Sequence, residues 1–426
     1  MGRRHGVRVA AVLLGMLALA ACQGTEGDPS ADPPGGGSTS ASPSTTGSPT
    51  PGPTSETPSP STPPSASTSP TVTVADPEHA VPPPGPRTGP VAPADLLVLA
   101  QDTIPDAVVT RVQQTKGVTS VVRISMTNPS VEDRVLKVVA VDPATYRNFT
   151  PVQSADSQTL WDRIAGGEVA VDESLRRTLA PDKDGYLKLG ADADAPRVHL
   201  GAWAPQIAGA VDAVVNEKWG EALGMKPGNA LLVKTTLTSP DRVVRPIQTA
   251  VGKGASVQRL DAVAKYGLDP QAVQMPVLSG VVAEAVGNYA YSVVGGRVIP
   301  SAAWVSSHIV TETVPILGAV TCNKALLPQL KGALGEVVSR GLTAKIHPGE
   351  YAGCYYPRFI AGTHSLSNHA FGLALDINVP GNQRGTVGEM DRTVVSIFEK
   401  WGFTWGGNWH YTDPMHFEMN RIVRPG

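Results

Sequence analysis

Two short stretches near the C-terminus combine imidazole and carboxylate side chains at intervals suited to chemistry. "SNHAFGLALDIN" places His369 seven positions before Asp376, and "DPMHFE" adds Asp413 and His416. A catalytic zinc takes three protein ligands from His, Asp or Glu and leaves its fourth position open. His369, Asp376 and His416 could supply these three ligands, so the pattern predicts a metal site with catalytic potential.

Metal-assisted hydrolysis also needs a general base that does not bind the metal. Asp413 lies three residues before His416. Zinc lowers the pKa of its bound water to about 7, and a carboxylate can pass the proton to a leaving amine. Glu418 is expected to support His416 rather than to act as the acid. Each motif alone is weak evidence, but their combination in one compact region predicts a hydrolase.

The local pattern also predicts how these groups are presented. "LALDIN" reads as a strand with Leu373, Leu375 and Ile377 on one face and Asp376 on the other. Gly372 would permit a close approach of the segment that carries the first histidine. The carboxylate is therefore expected to face away from the apolar side of a small sheet.

Two amphipathic helices are expected to pack on this sheet. "NKALLPQLKGALGEVVSRGL" predicts a helix that is capped by Asn323. Its apolar stripe would consist of Leu326, Leu330, Leu334 and Val338. "GEMDRTVVSIFEKWGF" predicts the second helix, and "FTWGG" predicts the strand that follows it. The expected arrangement is a small antiparallel sheet with packed helices.

These motifs resemble those of a known peptidase family. "SNHAFGLALDIN" resembles the signature SxHxxGxAxD, and "GFTWGGNWHYTDPMHFE" resembles the ending GGxW…DxxHFE. Both are typical of VanY-like D-alanyl-D-alanine carboxypeptidases of the LAS zinc-peptidase group, and the resemblance covers roughly residues 305 to 420. It implies one zinc ion per chain, held by His369, Asp376 and His416, with Asp413 as the catalytic base.

The resemblance implies further site residues and a substrate class. Arg358, in "YYPRFIAGT", matches an arginine aimed at the scissile carbonyl oxygen or the substrate carboxylate. Ser367 matches a serine that contacts substrate, and the expected substrates are peptidoglycan stem peptides. His410 could lie at the rim of the site or on the surface, and Trp405 and Trp409 could be core or cleft residues.

Three functions remain open at this level. The leading one is a D-alanyl-D-alanine carboxypeptidase that trims cell-wall stem peptides. A peptidoglycan endopeptidase of the same family differs only in pocket shape. The third is a non-catalytic, zinc-bearing adaptor that binds the wall, as Hedgehog signalling domains use a related fold for binding. Retention of Asp413 favours the enzymes, because a binding module needs no base.

The N-terminal segment predicts export. "MGRRHGVRVAAVLLGMLALAAC" has a basic start, a short apolar run and small residues before Cys22. Leu19-Ala20-Ala21-Cys22 resembles a bacterial lipobox, so residues 1–22 would be a lipoprotein signal peptide with Cys22 lipidated. The protein would then be anchored to the cell membrane on its extracytoplasmic face. An ordinary signal peptide with a chance cysteine is the alternative.

Composition divides the rest of the chain. Residues 23–92 are mostly Pro, Ser, Thr, Gly and Ala and predict a disordered linker. Residues 93–300 alternate helix and strand patterns and predict a separate α+β domain. Its pieces "TKGVTSVVRI" and "LGMKPGNALLV" resemble the periplasmic core domain of MacB/FtsX-type transporters, which implies a spacer or a site for a membrane-protein partner. Residues 301–426, with six of the nine histidines, predict the α+β peptidase domain.

Cysteine content and charge add two further expectations. Cys322 and Cys354 are the pair left after Cys22, and in an exported protein they predict a disulfide worth about 3–4 kcal/mol. Metal ligation by these thiolates is the alternative. The formal net charge of −2 gives no reason to expect a nucleic-acid partner.

Overall fold

The computed structural model describes residues 75–131, 134–190, 194–235 and 237–424. The predicted signal peptide, the predicted lipidation site Cys22 and the first part of the predicted linker lie outside these residues. The described residues all belong to one compact unit. A search of the described helices for a membrane-spanning segment finds none.

The first part of the unit, residues 75–277, is called the central body below. Its elements are β1 (Leu96–Ala100), α1 (Asp106–Gln113), β2 (Val118–Thr127), β3 (Ser130–Val131), β4 (Arg134–Val135), β5 (Val138–Val141), α2 (Pro143–Tyr146), α3 (Val152–Ala155), α4 (Gln158–Ala165), β6 (Val169–Val171), β7 (Tyr186–Lys188), β8 (Arg197–Trp203), β9 (Ala213–Asn216), α5 (Trp219–Ala222), β10 (Ala230–Thr235), α6 (Pro240–Val251), β11 (Ala255–Arg259) and α7 (Leu260–Tyr266).

The second part, residues 278–424, is called the C-terminal body. Its elements are α8 (Gly280–Val286), β12 (Tyr291–Val294), β13 (Arg297–Pro300), α9 (Ala302–His308), β14 (Ile309–Val314), β15 (Gly318–Asn323), α10 (Leu327–Ser339), β16 (Ala374–Asp376), α11 (Arg392–Lys400), β17 (Phe403–Trp405) and β18 (His416–Met419).

One large mixed sheet organises the central body. Within the described residues, its strands follow the order β11-β1-β10-β2-β5-β9-β6-β8-β7, and the pairs β5–β9 and β6–β8 are parallel. Side chains of β1 alternate between two clusters, with Leu97 and Leu99 in one and Leu96 and Val98 in the other. The sheet is therefore covered on both faces, as a continuous run of apolar residues requires.

The described chain before β1 is packed on the rest of the central body. The backbone N–H of Val81 donates to Ala165 O at 2.8 Å, and the His79 ring stacks on Trp219 with centroids 3.6 Å apart. Packed structure therefore begins ahead of the boundary that the sequence predicted at the end of the linker. Composition gave no sign of this, because backbone groups and one imidazole make these contacts rather than large apolar side chains.

The C-terminal body has a core of its own. A three-stranded antiparallel sheet in the order β16-β18-β17 packs with α10 and α11 in one buried cluster. Leu330, Leu334 and Phe398 are fully buried within it. The chain is thus of mixed α+β class, as predicted. The core also includes Ala285 and Tyr289, which precede the boundary expected at residue 301.

Two details of α10 differ from prediction. The helix begins at Leu327 without a side-chain cap, and Asn323 instead accepts from the N–H of Ala325 and donates to Phe371 O at 3.1 Å. Asn323 therefore connects the start of the helix to the segment before β16. Val338 is 46% exposed while Val337 is buried, because a 3.6-residue repeat drifts off a strict four-residue spacing.

The predicted disulfide is confirmed. Cys322 and Cys354 are bonded, with Cα atoms 5.4 Å apart. Thiolate metal ligation by this pair is therefore wrong. The bond joins the end of β15 to the segment that leads towards Arg358.

Candidate metal and catalytic site

Strand register brings two of the predicted ligands face to face. β16 and β18 pair antiparallel, with Asp376 directly opposite His416. Oδ1 of Asp376 lies 3.1 Å from Nδ1 of His416. His369 comes from the turn before β16, and ligand atoms of the three residues lie within 4.8 Å of one another. In a search of the described residues for clusters of His, Cys, Asp and Glu side chains, these three residues form the group that could hold a metal ion.

A short 3-10 helix, Asn368–Phe371, presents His369. Ser367 caps it, with its Oγ accepting from the N–H of His369 at 3.4 Å. Gly372 ends it at φ +67°, and a Cβ there would lie 2.7 Å from the backbone N of Asn323. The backbone carbonyl of Cys354 accepts from His369 Nδ1 at 2.9 Å, which directs Nε2 to the site.

The second histidine is oriented by buried polar neighbours. Nε2 of His416 lies 3.1 Å from Oε2 of Glu418, which leaves Nδ1 facing Asp376. Glu418 lies two residues along β18, so both side chains point to the same face of the sheet. The same Glu418 oxygen accepts from Asn368 Nδ2 at 2.8 Å. Both imidazoles are therefore fixed through the nitrogen that does not face the site.

The charges in this cluster are strongly coupled. Burial acts to raise the pKa of Asp376, but His369 and His416 outweigh it and hold the pKa well below its usual range. Burial acts to lower the pKa of His416, while hydrogen bonds with Asp376 and Glu418 raise it to about 10. The carboxylate is thus ionised, and a cation that binds here must displace a proton from His416.

One buried nitrogen that makes no hydrogen bond supports the fit to a metal. Nε2 of His369 is buried, lies 3.2 Å from Oδ2 of Asp376 and makes no hydrogen bond within the described residues. A buried nitrogen that makes no hydrogen bond is costly unless a ligand completes it. Two imidazole nitrogens and one carboxylate form a donor set that suits a divalent transition metal.

Asp413 lies beside this group without joining it. Its N–H donates to Gly406 O at 2.8 Å, and a Cβ on Gly406 would lie 2.5 Å from Asp413 O. Oδ1 of Asp413 is buried and without a hydrogen-bond partner in the described chain. Burial raises the pKa of Asp413, against opposing effects from His416 and Arg384. A carboxylate with a raised pKa and an unpaired oxygen is suited to accept a proton.

A cavity that is open to solvent lies over these residues. Asp413, His416, Arg358 and Ser367 all line it, so the structure brings the predicted base, one ligand and both predicted substrate-binding residues to one surface. Trp405 is instead a core residue, because it is 3% exposed and donates to a backbone carbonyl.

Sequence reasoning missed several residues of this site. Arg384 lines the cavity, yet it lies in the Gly-rich loop "PGNQRGTVG", where no spacing distinguishes it. Asn368 follows the motif serine and holds Glu418, a role that only the fold reveals. Trp409, which the sequence left open between core and cleft, lines the cavity, and its ring centroid lies 5.2 Å from that of His416. His410 is exposed and lines a neighbouring cavity.

Comparison with known proteins agrees with the class of site that this geometry defines. Residues 361–419 match the sequence profile of a peptidase family described as D-alanyl-D-alanine carboxypeptidase. The match contains all three potential ligands and Asp413, and it supports a peptidase domain in the C-terminal body. No curated protein matches the chain.

Proposed function

We propose that this protein is a zinc-dependent peptidoglycan peptidase, and specifically a D-alanyl-D-alanine carboxypeptidase that trims stem peptides. The observation that carries the proposal is the convergence of His369, Asp376 and His416 beside the unpaired oxygen of Asp413. The family match over the same residues supports the substrate class. The fold of the C-terminal body would then be of the LAS type.

The chain's own residues divide the chemical work. Nε2 of His369, the carboxylate of Asp376 and Nδ1 of His416 would hold one zinc ion. Such an ion would act as a Lewis acid towards a peptide carbonyl and a water molecule. Asp413 would take the proton of the attacking water and deliver it to the leaving amine. Arg358 would stabilise negative charge on the scissile carbonyl oxygen or bind the terminal carboxylate, and Ser367 would contact substrate.

The cellular setting belongs to the same proposal. Lipidation at Cys22 would anchor the protein to the outer face of the cell membrane, and the linker would let the enzyme reach the wall. The central body would serve as a spacer or contact a membrane-protein partner, as the MacB/FtsX-like patterns suggest. These points rest on sequence alone, since the family match does not extend to them.

The test uses the chain without residues 1–22 and muropeptides that carry pentapeptide stems. We expect release of one alanine, detected by mass spectrometry and abolished by a chelator. Asp413→Asn should lower the rate at least 100-fold while zinc content stays at one per chain. Asp102→Asn, at an exposed position of the central body, is the control and should leave the rate unchanged.

Other outcomes separate the alternatives. Larger fragments would assign an endopeptidase, whose site needs the same residues. Zinc bound at one per chain without any cleavage would instead support the non-catalytic adaptor.

A further inference from the structure

The central body supplies part of the cavity that holds the candidate catalytic groups. Ser130, Arg134 and Val135, from the paired strands β3 and β4, line the same space as Asp413 and His416. None of these three residues belongs to the segment that matches the peptidase family. The peptidase region alone therefore does not form the complete cleft.

Two hydrogen bonds hold β4 in place at the cavity. Oγ of Ser365 donates to Val135 O at 3.2 Å, which joins β4 to the segment that leads into His369. Nη1 of Arg134 donates to Thr178 Oγ1 at 2.9 Å, which fixes the guanidinium to the central body. Arg134 is thus a positioned cation at the cleft rather than a freely moving surface side chain.

A second cavity, also open to solvent, adjoins the first. It is lined by Tyr186 and Lys188 of β7 and by Trp409 and Glu418. Trp409 and Glu418 also line the first cavity. The two cavities are therefore neighbours, and both are lined by residues of the central and the C-terminal body.

Three guanidinium groups in the wall of the first cavity have the chemistry to bind an anionic group of the substrate. Arg134, Arg358 and Arg384 line this cavity, against the carboxylates of Asp413 and Glu418. Planar guanidinium groups match the geometry of a carboxylate and bind it through two parallel hydrogen bonds.

We propose that Arg134 of the central body binds a carboxylate of the peptide substrate, so that the two bodies form the binding site together. The proposal rests on the proposed function, because it takes the peptide as substrate of the adjacent catalytic groups. It assigns the central body a role in substrate recognition in addition to any role as a spacer.

The test measures binding separately from cleavage. The ligand is an acyl-D-alanyl-D-alanine peptide with one side-chain carboxylate, prepared also with either carboxylate or both amidated. Calorimetric titration uses the zinc-loaded Asp413→Asn protein with and without Arg134→Ala. We expect Arg134→Ala to weaken binding of the free acid about tenfold or more, as loss of a charge-assisted pair does. Arg134→Lys should recover part of the loss.

Controls identify the carboxylate and exclude a general loss of structure. Amidation of the recognised carboxylate should remove the difference between the Arg134→Ala protein and its parent. Arg177→Ala, at an exposed position of the same body, should bind like the parent. In the active protein, Arg134→Ala should raise KM about tenfold and change kcat less than twofold. The Arg134→Ala and Arg177→Ala proteins should unfold at the same temperature. If the Arg134→Ala protein does not fold, the affinity of the Arg134→Lys protein tests the proposal instead.

Two results would overturn the inference. One is that the Arg134→Ala protein and its parent bind the free-acid peptide with equal affinity. The other is that Arg134→Ala weakens binding of the free acid and of the doubly amidated peptide by the same factor. If the zinc-loaded wild-type protein cleaves no peptide, the proposed function fails, and the titration still decides whether Arg134 binds a carboxylate.

Discussion

At the residue scale, the potential ligands are held through the atoms that do not face the site. Cys354 O holds His369, and Glu418 holds His416. Such contacts set which ring nitrogen is available and how the ring is turned. Residue types and spacing predicted the three potential ligands that the structure brings together. The carbonyl of Cys354 could not be predicted, since a backbone acceptor leaves no signature in sequence.

The residue-scale prediction concerns Glu418. Glu418→Gln keeps the shape of the side chain but removes the charge that supports His416, so metal affinity should fall about tenfold. Competition with a chromophoric chelator measures it. Glu284→Gln, at an exposed position of α8, should bind metal like the wild type. Unchanged affinity in Glu418→Gln would show that the carboxylate does not orient the ligand.

At the element scale, the turn before β16 sets the approach of His369 to the sheet. Gly372 adopts a left-handed conformation, and its N–H and carbonyl take part in the hydrogen bonds that fix this turn. The signature glycine is thus explained by backbone geometry, because a side chain would be strained and would collide with β15.

The element-scale prediction compares two glycines. Gly372→Ala should destabilise the protein by about 2 kcal/mol or more, since Ala disfavours this φ and its Cβ would meet the backbone N of Asn323. Gly335→Ala, within α10 and with open space around its Cβ, should stabilise by about 0.5–1 kcal/mol. Urea denaturation of both variants measures the difference, and a neutral Gly372→Ala would contradict the explanation.

Sequence periodicity predicted the elements of the C-terminal body better than their ends. The burial of Leu330, Leu334 and Phe398 follows from helical spacing. The prediction that Asn323 caps α10 was wrong, because tertiary packing places this side chain where it donates a hydrogen bond to Phe371 O. Arg134 could not have been assigned to the cleft, since its place depends on contacts between distant parts of the chain that no local pattern encodes.

At the scale of the whole molecule, the core of the C-terminal body extends upstream of the predicted domain boundary. Tyr289 is fully buried and packs edge-to-face on Trp304 and Phe371, with ring centroids 4.6 and 4.9 Å apart. Trp304 Nε1 also donates to Val286 O at 2.8 Å. Phe371 belongs to the turn that carries His369, so this aromatic cluster supports the site directly.

The whole-molecule prediction concerns this boundary. A chain that begins at residue 301 lacks Tyr289, and a buried aromatic of this size contributes about 3–5 kcal/mol. We expect it not to fold, whereas a chain that begins at residue 278 should give a cooperative thermal transition and a near-ultraviolet circular dichroism signal. A cooperative transition of equal midpoint in both chains would contradict this.

The register that sets Asp376 opposite His416 has a thermodynamic consequence. An ion shared by these residues would cross-link β16 and β18, two strands of only three and four residues. By mass action, an ion present at 100 times its dissociation constant would add about 2.7 kcal/mol to the free energy of unfolding. Occupancy of the site and integrity of this small sheet are therefore linked quantities, and each depends on the free metal concentration around the protein.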